Sequence, residues 1–392
     1  SVHCAPAVPP SAAFFFVPFV LLFTTFFTNL NGFWSGIWGS LDYWLGQHDV
    51  KRGNQPLYYY ALMTPLYEFL PLLLALGGGA WLLLRATSFR LWLLFWCAGI
   101  FVGLSIAGEK MPWLEVHIAL PLALIAAVAL AAAFDALKVE GRRWQTLAVV
   151  GAGSAIATLL LVDGDGALSI LGALLAVGLI GYGAFAFTRE GRNAGAGVLL
   201  SFAVCALLAL TVRAGIVVSF ENDDTPVEMM VYTQTSPDIP RLRDRIDTIA
   251  KESGLGYNLP IVVDTTDGYA WPWAWYLRDY HDVAYVVPTS DYNPPPGAVL
   301  LIERSNIGNV SSAGYTQTPY KLRWWFNETY RDLTLSKVAS TLTSWDDLKS
   351  LGNFFLHRRP AEGNTGSADG VAFFPDSLAA FDVSREPPAP PP

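Results

Sequence analysis

The stretch AGAGVLLSFAVCALLALTVRAGI (194–216), followed at once by VVSFENDDTPVE (217–228), decides the fold. An apolar run of that length can cross a hydrocarbon core, which needs about 20 helical residues. The acids that follow belong in water. Splitting the chain at Phe220 extends the contrast to both halves. Residues 1–220 carry 11 Lys/Arg against 10 Asp/Glu, and residues 221–392 carry 14 against 23. The whole chain of 392 residues is 53% hydrophobic and 15% charged, with a mean hydropathy of +0.36. An ordinary soluble domain is about 25% charged, which argues against a single soluble enzyme. A net charge of −8 and a pI of about 5.1 argue against a nucleic-acid partner.

Working back towards the start, apolar stretches near 13–30, 57–84, 89–107, 114–134, 145–162 and 167–187 join 194–216 to give about seven spans. The second contains Pro65 and Pro71, so a kink or tilt is expected there. The loops alternate in charge. Arg85, Arg90, Lys138, Arg142, Arg143, Arg189 and Arg192 fall on one side, and Lys51, Arg52 and Lys110 on the other. The positive-inside rule makes the arginine-rich side cytoplasmic. The sequence therefore predicts a multi-pass protein of the cell membrane with its C-terminal half outside.

Residues 221–392 read as strands and helices in alternation. Glu228–Thr233, Pro260–Asp264, Val283–Val287 and Val299–Glu303 are strand candidates. Helices are expected from Asp238 to about Ser253 and over Trp345–His357. That spacing predicts a small α/β domain over 221–358. Residues 359–392, rich in Gly, Ala, Ser, Asp and Pro, read as a mostly disordered tail. The chain opens on Ser without a basic leader and closes on PPAPPP, so both ends read as cut. Cys4, Cys97 and Cys205 make no disulfide framework. The scattered histidines support no zinc site, and no hydrolase, P-loop or dinucleotide motif occurs. No cofactor or metal is called for.

Four places carry unusual chemistry. In GEKMPWLEVH (108–117), Glu109, Lys110, Trp113 and His117 stand at the mouth of a span. Lys is a compact charge suited to phosphate, and a helix start adds a favourable dipole, so these residues are candidates for gripping an anionic lipid headgroup. The plainer reading has Lys110 reaching to headgroups and Trp113 in an aromatic belt. Glu68 sits at mid-span, where a carboxylate marks a functional polar site or a protonated acid bonded to a neighbouring helix. The loop 31–60 offers an apolar stripe for the interface, with Asp42, His48, Asp49 and Arg52 as a candidate donor loop. Residues 267–280 hold Trp271, Trp273, Trp275, Tyr276, Arg278 and Asp279, a candidate glycan or acceptor surface. The competing reading is a helix docking its aromatic face. Trp271 and Trp275, four apart, should share a face and Trp273 should point elsewhere.

The segments GFWSGIWGSLDYWLGQHDVKRGNQPLYYY, GEKMPWLEVHIALPL, TPVEMMVYTQTSPDIP and GYAWPWAWYLRDY occur in order. Together they resemble the flippase-activity-associated membrane proteins of archaea and some bacteria. That family is related to the dolichyl-phosphate-mannose–protein mannosyltransferases of the GT-C superfamily. The resemblance covers about residues 29–357. It implies the C-terminal part of a GT-C-like module at 1–220, with a polyprenyl-phosphate-linked sugar, membrane lipids and a glycan or protein acceptor as partners. It implies that Lys110-Met111-Pro112 lies by the lipid phosphate. Such enzymes carry their catalytic carboxylates in the first outer loop, so the resemblance puts the base, and further spans, before Ser1. The alternative is a non-catalytic component that assists flipping of lipid-linked oligosaccharides.

Overall fold

The computed structural model describes residues 10–51, 53–290, 292–358 and 365–382. The chain divides into two compact units, 1–133 and 134–392. The first is helical: α1 (Pro10–Phe23), α2 (Asn31–Trp34), α3 (Ser40–Val50), α4 (Tyr59–Tyr67), α5 (Phe69–Leu84), α6 (Ser88–Ile106) and α7 (Glu115–Ala136), whose last turn passes into the second unit.

Two of the expected spans take another form. The stretch 13–30 is not one helix, because α1 stops at Phe23 and Thr25, Phe26 and Phe27 all have positive φ. That backbone is uncommon for residues with a side chain and ends a right-handed helix. The Thr24 hydroxyl secures the break by bonding the Val20 carbonyl and accepting from the Phe27 N–H. The stretch 57–84 is sharply bent rather than gently kinked. Its two helices meet at 103°. Glu68 lies at the corner with φ −110° and ψ 33°. Pro71 has no N–H to give the Tyr67 carbonyl, so the helical ladder opens there.

The second unit begins with three antiparallel helices, α8 (Arg142–Asp163), α9 (Ala167–Arg189) and α10 (Arg192–Ile216). Small residues let them approach. A Cβ at Gly151 would meet Cys205 Sγ at 2.6 Å, and one at Gly195 would meet the Phe187 backbone at 2.5 Å. The Ser154 and Ser201 hydroxyls donate to the Phe202 and Leu147 carbonyls. Close backbones joined by serine bonds are a membrane mode of helix packing. Among the described residues five helices are long and apolar enough to cross a membrane, and six if the bent pair α4–α5 is one span, where the sequence suggests seven. Phe95, Val149, Leu174 and Val177 are exposed on them, an outer surface consistent with a membrane protein.

The rest of the second unit is an α/β layer. Its elements are β1 (Gln234–Thr235), α11 (Asp238–Glu252), β2 (Ile261–Asp264), α12 (Ala270–Tyr276), β3 (Val283–Val286), β4 (Val299–Glu303), β5 (Tyr315–Trp325), α13 (Leu335–Thr343), α14 (Trp345–His357) and β6 (Gly366–Pro375). The sheet order is β1-β5-β6-β4-β2-β3. β2 runs parallel to β3 and β4, and β6 runs antiparallel to both β4 and β5. Alternate strand residues feed two cores. Ile261, Val263, Val299, Leu301, Ala372 and Phe374 pack with Ile239, Leu242, Ile246 and Ile249 of α11. Val262, Leu300, Ile302, Val371 and Phe373 pack on the other face.

The domain therefore extends beyond 358. Residues 366–382, expected as disordered tail, supply strand β6 and a closing 3-10 turn. The run VAFFP is buried on both faces, and Arg245 of α11 fastens the end by a forked bond to the Asp382 carboxylate. The rest of that stretch, 359–364 and 383–392, lies outside the described residues. Glu228–Thr233 is no strand either. Glu228 is fully buried and held as a turn by the Arg358 guanidinium at 3.5 Å and the Asn222 amide at 3.3 Å.

Candidate functional site

The polar residues of the first unit gather where α4 breaks against the segment leading into α7. α4 turns Tyr59, Tyr60, Met63 and Thr64 inward. The Tyr60 hydroxyl donates to the Met111 carbonyl at 3.1 Å and accepts from the Met111 N–H at 3.2 Å. A phenol thus occupies both backbone groups of one residue and fixes the Lys110-Met111-Pro112 segment. One turn later, Thr64 Oγ1 donates to Glu115 Oε1 at 2.7 Å. Glu115 is buried at the first position of α7, where a carboxylate meets the positive end of the helix dipole. Its second oxygen, Oε2, is buried without a hydrogen-bond partner. Glu68, half-buried at the helix break, is close enough for its charge to act on Glu115.

Lys110 is buried as well, and its Nζ donates to the Ala107 carbonyl at 2.7 Å. Burial, then the nearby Lys51 charge, lowers its pKa from the ordinary value of 10.5. The loop after α3 wraps this segment closely. A Cβ at Gly108 would lie 2.2 Å from the His48 carbonyl oxygen, and one at Gly53 would lie 2.9 Å from the Lys110 carbonyl oxygen. Gly53 also has φ +79°, a conformation that favours glycine. Two lysines and the His48 backbone are thereby brought beside the segment that leads into α7, whose first position the Glu115 carboxylate already holds.

The expected residues divide accordingly. Glu109, Lys110 and Glu68 belong to this cluster, with Glu109 buried and acting electrostatically on Tyr60. Trp113 and His117 face outward and are exposed. Of the donor-loop candidates, Asp42, His48 and Asp49 are exposed on α3, and Arg52 lies outside the described residues. Tyr60, Thr64 and Glu115 complete the site. The tyrosine run at 58–60 and an acid six residues after Glu109 were the visible signals. Among the described residues no three His, Cys, Asp or Glu side chains group as metal ligands.

In the second unit, α12 splits its aromatics. Trp271 is 76% exposed and Trp275 65%, on one face, while Trp273 is 0% exposed. Trp273 Nε1 donates to the Tyr320 hydroxyl at 3.1 Å inside the core. Trp273 is therefore a packing residue and not part of a glycan surface. Arg278 stacks 4.2 Å from the Trp275 ring centroid and bonds its carbonyl. Tyr276 is half-buried and Asp279 exposed.

No family model, curated protein or solved structure matches this chain.

Proposed function

We propose that this chain belongs to a membrane glycosyltransferase that draws sugar from a polyprenyl-phosphate-linked donor on the outer face, in protein or lipid-linked glycan assembly. The observation that carries the proposal is the buried Lys110 beside Lys51, locked in place by Tyr60 at the entrance to α7. A burial-strained ammonium gains most when a phosphate arrives to pair with it. In the reaction an acceptor hydroxyl attacks the anomeric carbon, and the bond to the polyprenyl phosphate breaks. The leaving phosphate takes up negative charge that Lys110 and Lys51 stabilise. The acceptor proton passes to a carboxylate. Glu68, Glu109 and Glu115 are the acids of this cluster, and Glu→Gln variants at each test whether one of them takes the proton or, as the resemblance implies, none does. The resemblance to flippase-activity-associated proteins supports the same lipid carrier. Trp271 and Trp275 offer exposed rings for the acceptor or glycan.

Lys110→Ala should weaken binding of a polyprenyl-phospho-sugar while leaving expression unchanged, and Lys110→Arg should recover part of it, because a planar fork replaces a point charge. Unaltered donor binding in the alanine variant refutes the site. Binding that survives in the wild type without sugar transfer favours the non-catalytic role in lipid-linked glycan flipping. Outward placement is read separately: cysteines at Asp224 and Ser377 should react with an impermeant thiol reagent in intact cells and one at Glu140 should not.

A further inference from the structure

The α13–α14 hairpin has an apolar face that no core absorbs. On α13, Leu335, Val338 and Leu342 recur at helical spacing and are all exposed, Leu335 by 90%. On α14, Trp345, Leu348 and Leu351 do the same, Trp345 by 78%. Ser336, Lys337 and Ser340 occupy the other side of α13, and Asp346, Asp347 and Lys349 that of α14. Both helices are capped, by Thr334 accepting from the Lys337 N–H and Ser344 from the Asp347 N–H. They are thus built elements whose apolar sides were left outward.

The end of α14 is tied to the helical bundle. Arg213, in the last turn of α10, donates through one guanidinium nitrogen to the Leu356 carbonyl at 2.6 Å. Its Nε meets both oxygens of Asp163, the last residue of α8, at 2.8 and 2.7 Å. α8 ends at this level, and the span that contains α10 runs further, through Val217–Glu221, so α14 terminates beside the last turns of two candidate spans. Arg358, buried against Glu228, anchors the next residue.

We propose that the α13–α14 hairpin lies in the headgroup layer of the membrane, with Leu335, Val338, Leu342, Trp345, Leu348 and Leu351 turned into the lipid. The proposal rests on the reading of α8 and α10 as spans. A tryptophan and leucines on one face, with Lys and Asp on the other, form an interfacial helix pattern. The Arg213 tether sets its depth at the bundle end. A second copy of the chain would need no such tether to the ends of α8 and α10.

The test uses the full chain in phosphatidylcholine vesicles, with native cysteines replaced by serine and a nitroxide placed by Leu342→Cys, Trp345→Cys or Leu351→Cys. Ser340→Cys and Asp347→Cys report the polar faces, and Leu208→Cys reports α10. Collision with oxygen is compared with collision with a water-soluble nickel chelate. The hairpin's apolar positions should favour oxygen several-fold more than Ser340 and Asp347 do, as should Leu208. Apolar positions open to nickel, with Leu208 favouring oxygen, place the hairpin in water and overturn the proposal alone. Nickel access at Leu208 overturns the spanning reading and the hairpin with it. Apolar positions shielded from both reagents mean that protein covers them, which also overturns the proposal.

Discussion

Pro112-Trp113 and Pro272-Trp273 are the same dipeptide at the start of a helical turn, in segments that mix aromatics with charges. They are buried in opposite senses. At 112–113 the proline is buried and the indole is exposed, while Lys110 and Glu115 on either side turn inward. At 272–273 the indole is sealed in the core, and Arg278 and Asp279 stay outside. Around Pro112 the inward places include groups that hydrogen-bond between α4 and the segment entering α7. Around Pro272 the inward place is filled by the Trp273 ring. An apolar surround would tolerate an outward tryptophan and gather polar groups inside, whereas α12, with Trp271 and Trp275 exposed beside buried Trp273, sorts its aromatics by helical spacing.

Substitutions sharpen that contrast. Trp273→Ala should show the largest effect, destabilising the α/β layer by about 3–5 kcal/mol from cavity formation, with the Tyr320 hydroxyl also losing the Trp273 N–H. Thermal unfolding of the detergent-solubilised chain measures it, and a shift below 1 kcal/mol would break the comparison. Tyr60→Phe comes next. It unpairs the buried Met111 N–H and carbonyl and should cost about 1–3 kcal/mol, read by the same unfolding measurement. Lys110 gives a pH signature. The folded chain gives up this proton at lower pH than the unfolded chain, so its contribution to stability rises as pH climbs from the lowered folded value towards 10.5. That rise should vanish in Lys110→Met, with the wild-type minus variant difference over alkaline pH as the readout. Trp271→Ala and Trp275→Ala should do least, within about 0.5 kcal/mol as exposed sites do, while weakening acceptor or glycan binding.

Much of this was legible where periodicity was strong. α11, β2, β3, β4 and α14 fall within a residue or two of their expected bounds, because each is a compact apolar run or an amphipathic stripe. β5 escaped notice because Pro319 interrupts it and a bulge between Lys321 and Arg323 breaks its alternation. β6 was hidden by composition: Gly366, Asp369 and Gly370 read as linker, yet Gly370 is required where the Tyr269 hydroxyl fills the Cβ position. Of the site, Lys110, Glu109 and Glu68 stood out as charges among apolar residues. The pairing of Thr64 with Glu115 and of Tyr60 with Met111 spans 51 positions, and such contacts leave no periodic trace in the sequence. The two outward tryptophans of α12 and their buried neighbour follow from helical spacing alone.

The strand that joins the two halves of the sheet is the last in sequence of its six strands among the described residues. Without β6, the β1–β5 ribbon and the parallel trio β4-β2-β3 share no bonded edge. Synthesis runs from the N-terminus, so more than forty residues after β5 must emerge before the halves can meet. Until then β4 and β5 each present an open row of backbone groups to any strand nearby. A ribosome that stalls or stops ahead of Gly366 therefore releases two half-sheets rather than a shortened domain. Quality control would meet that product as an aggregation-prone edge, even though every residue lining the Tyr60–Met111 cluster had already been made.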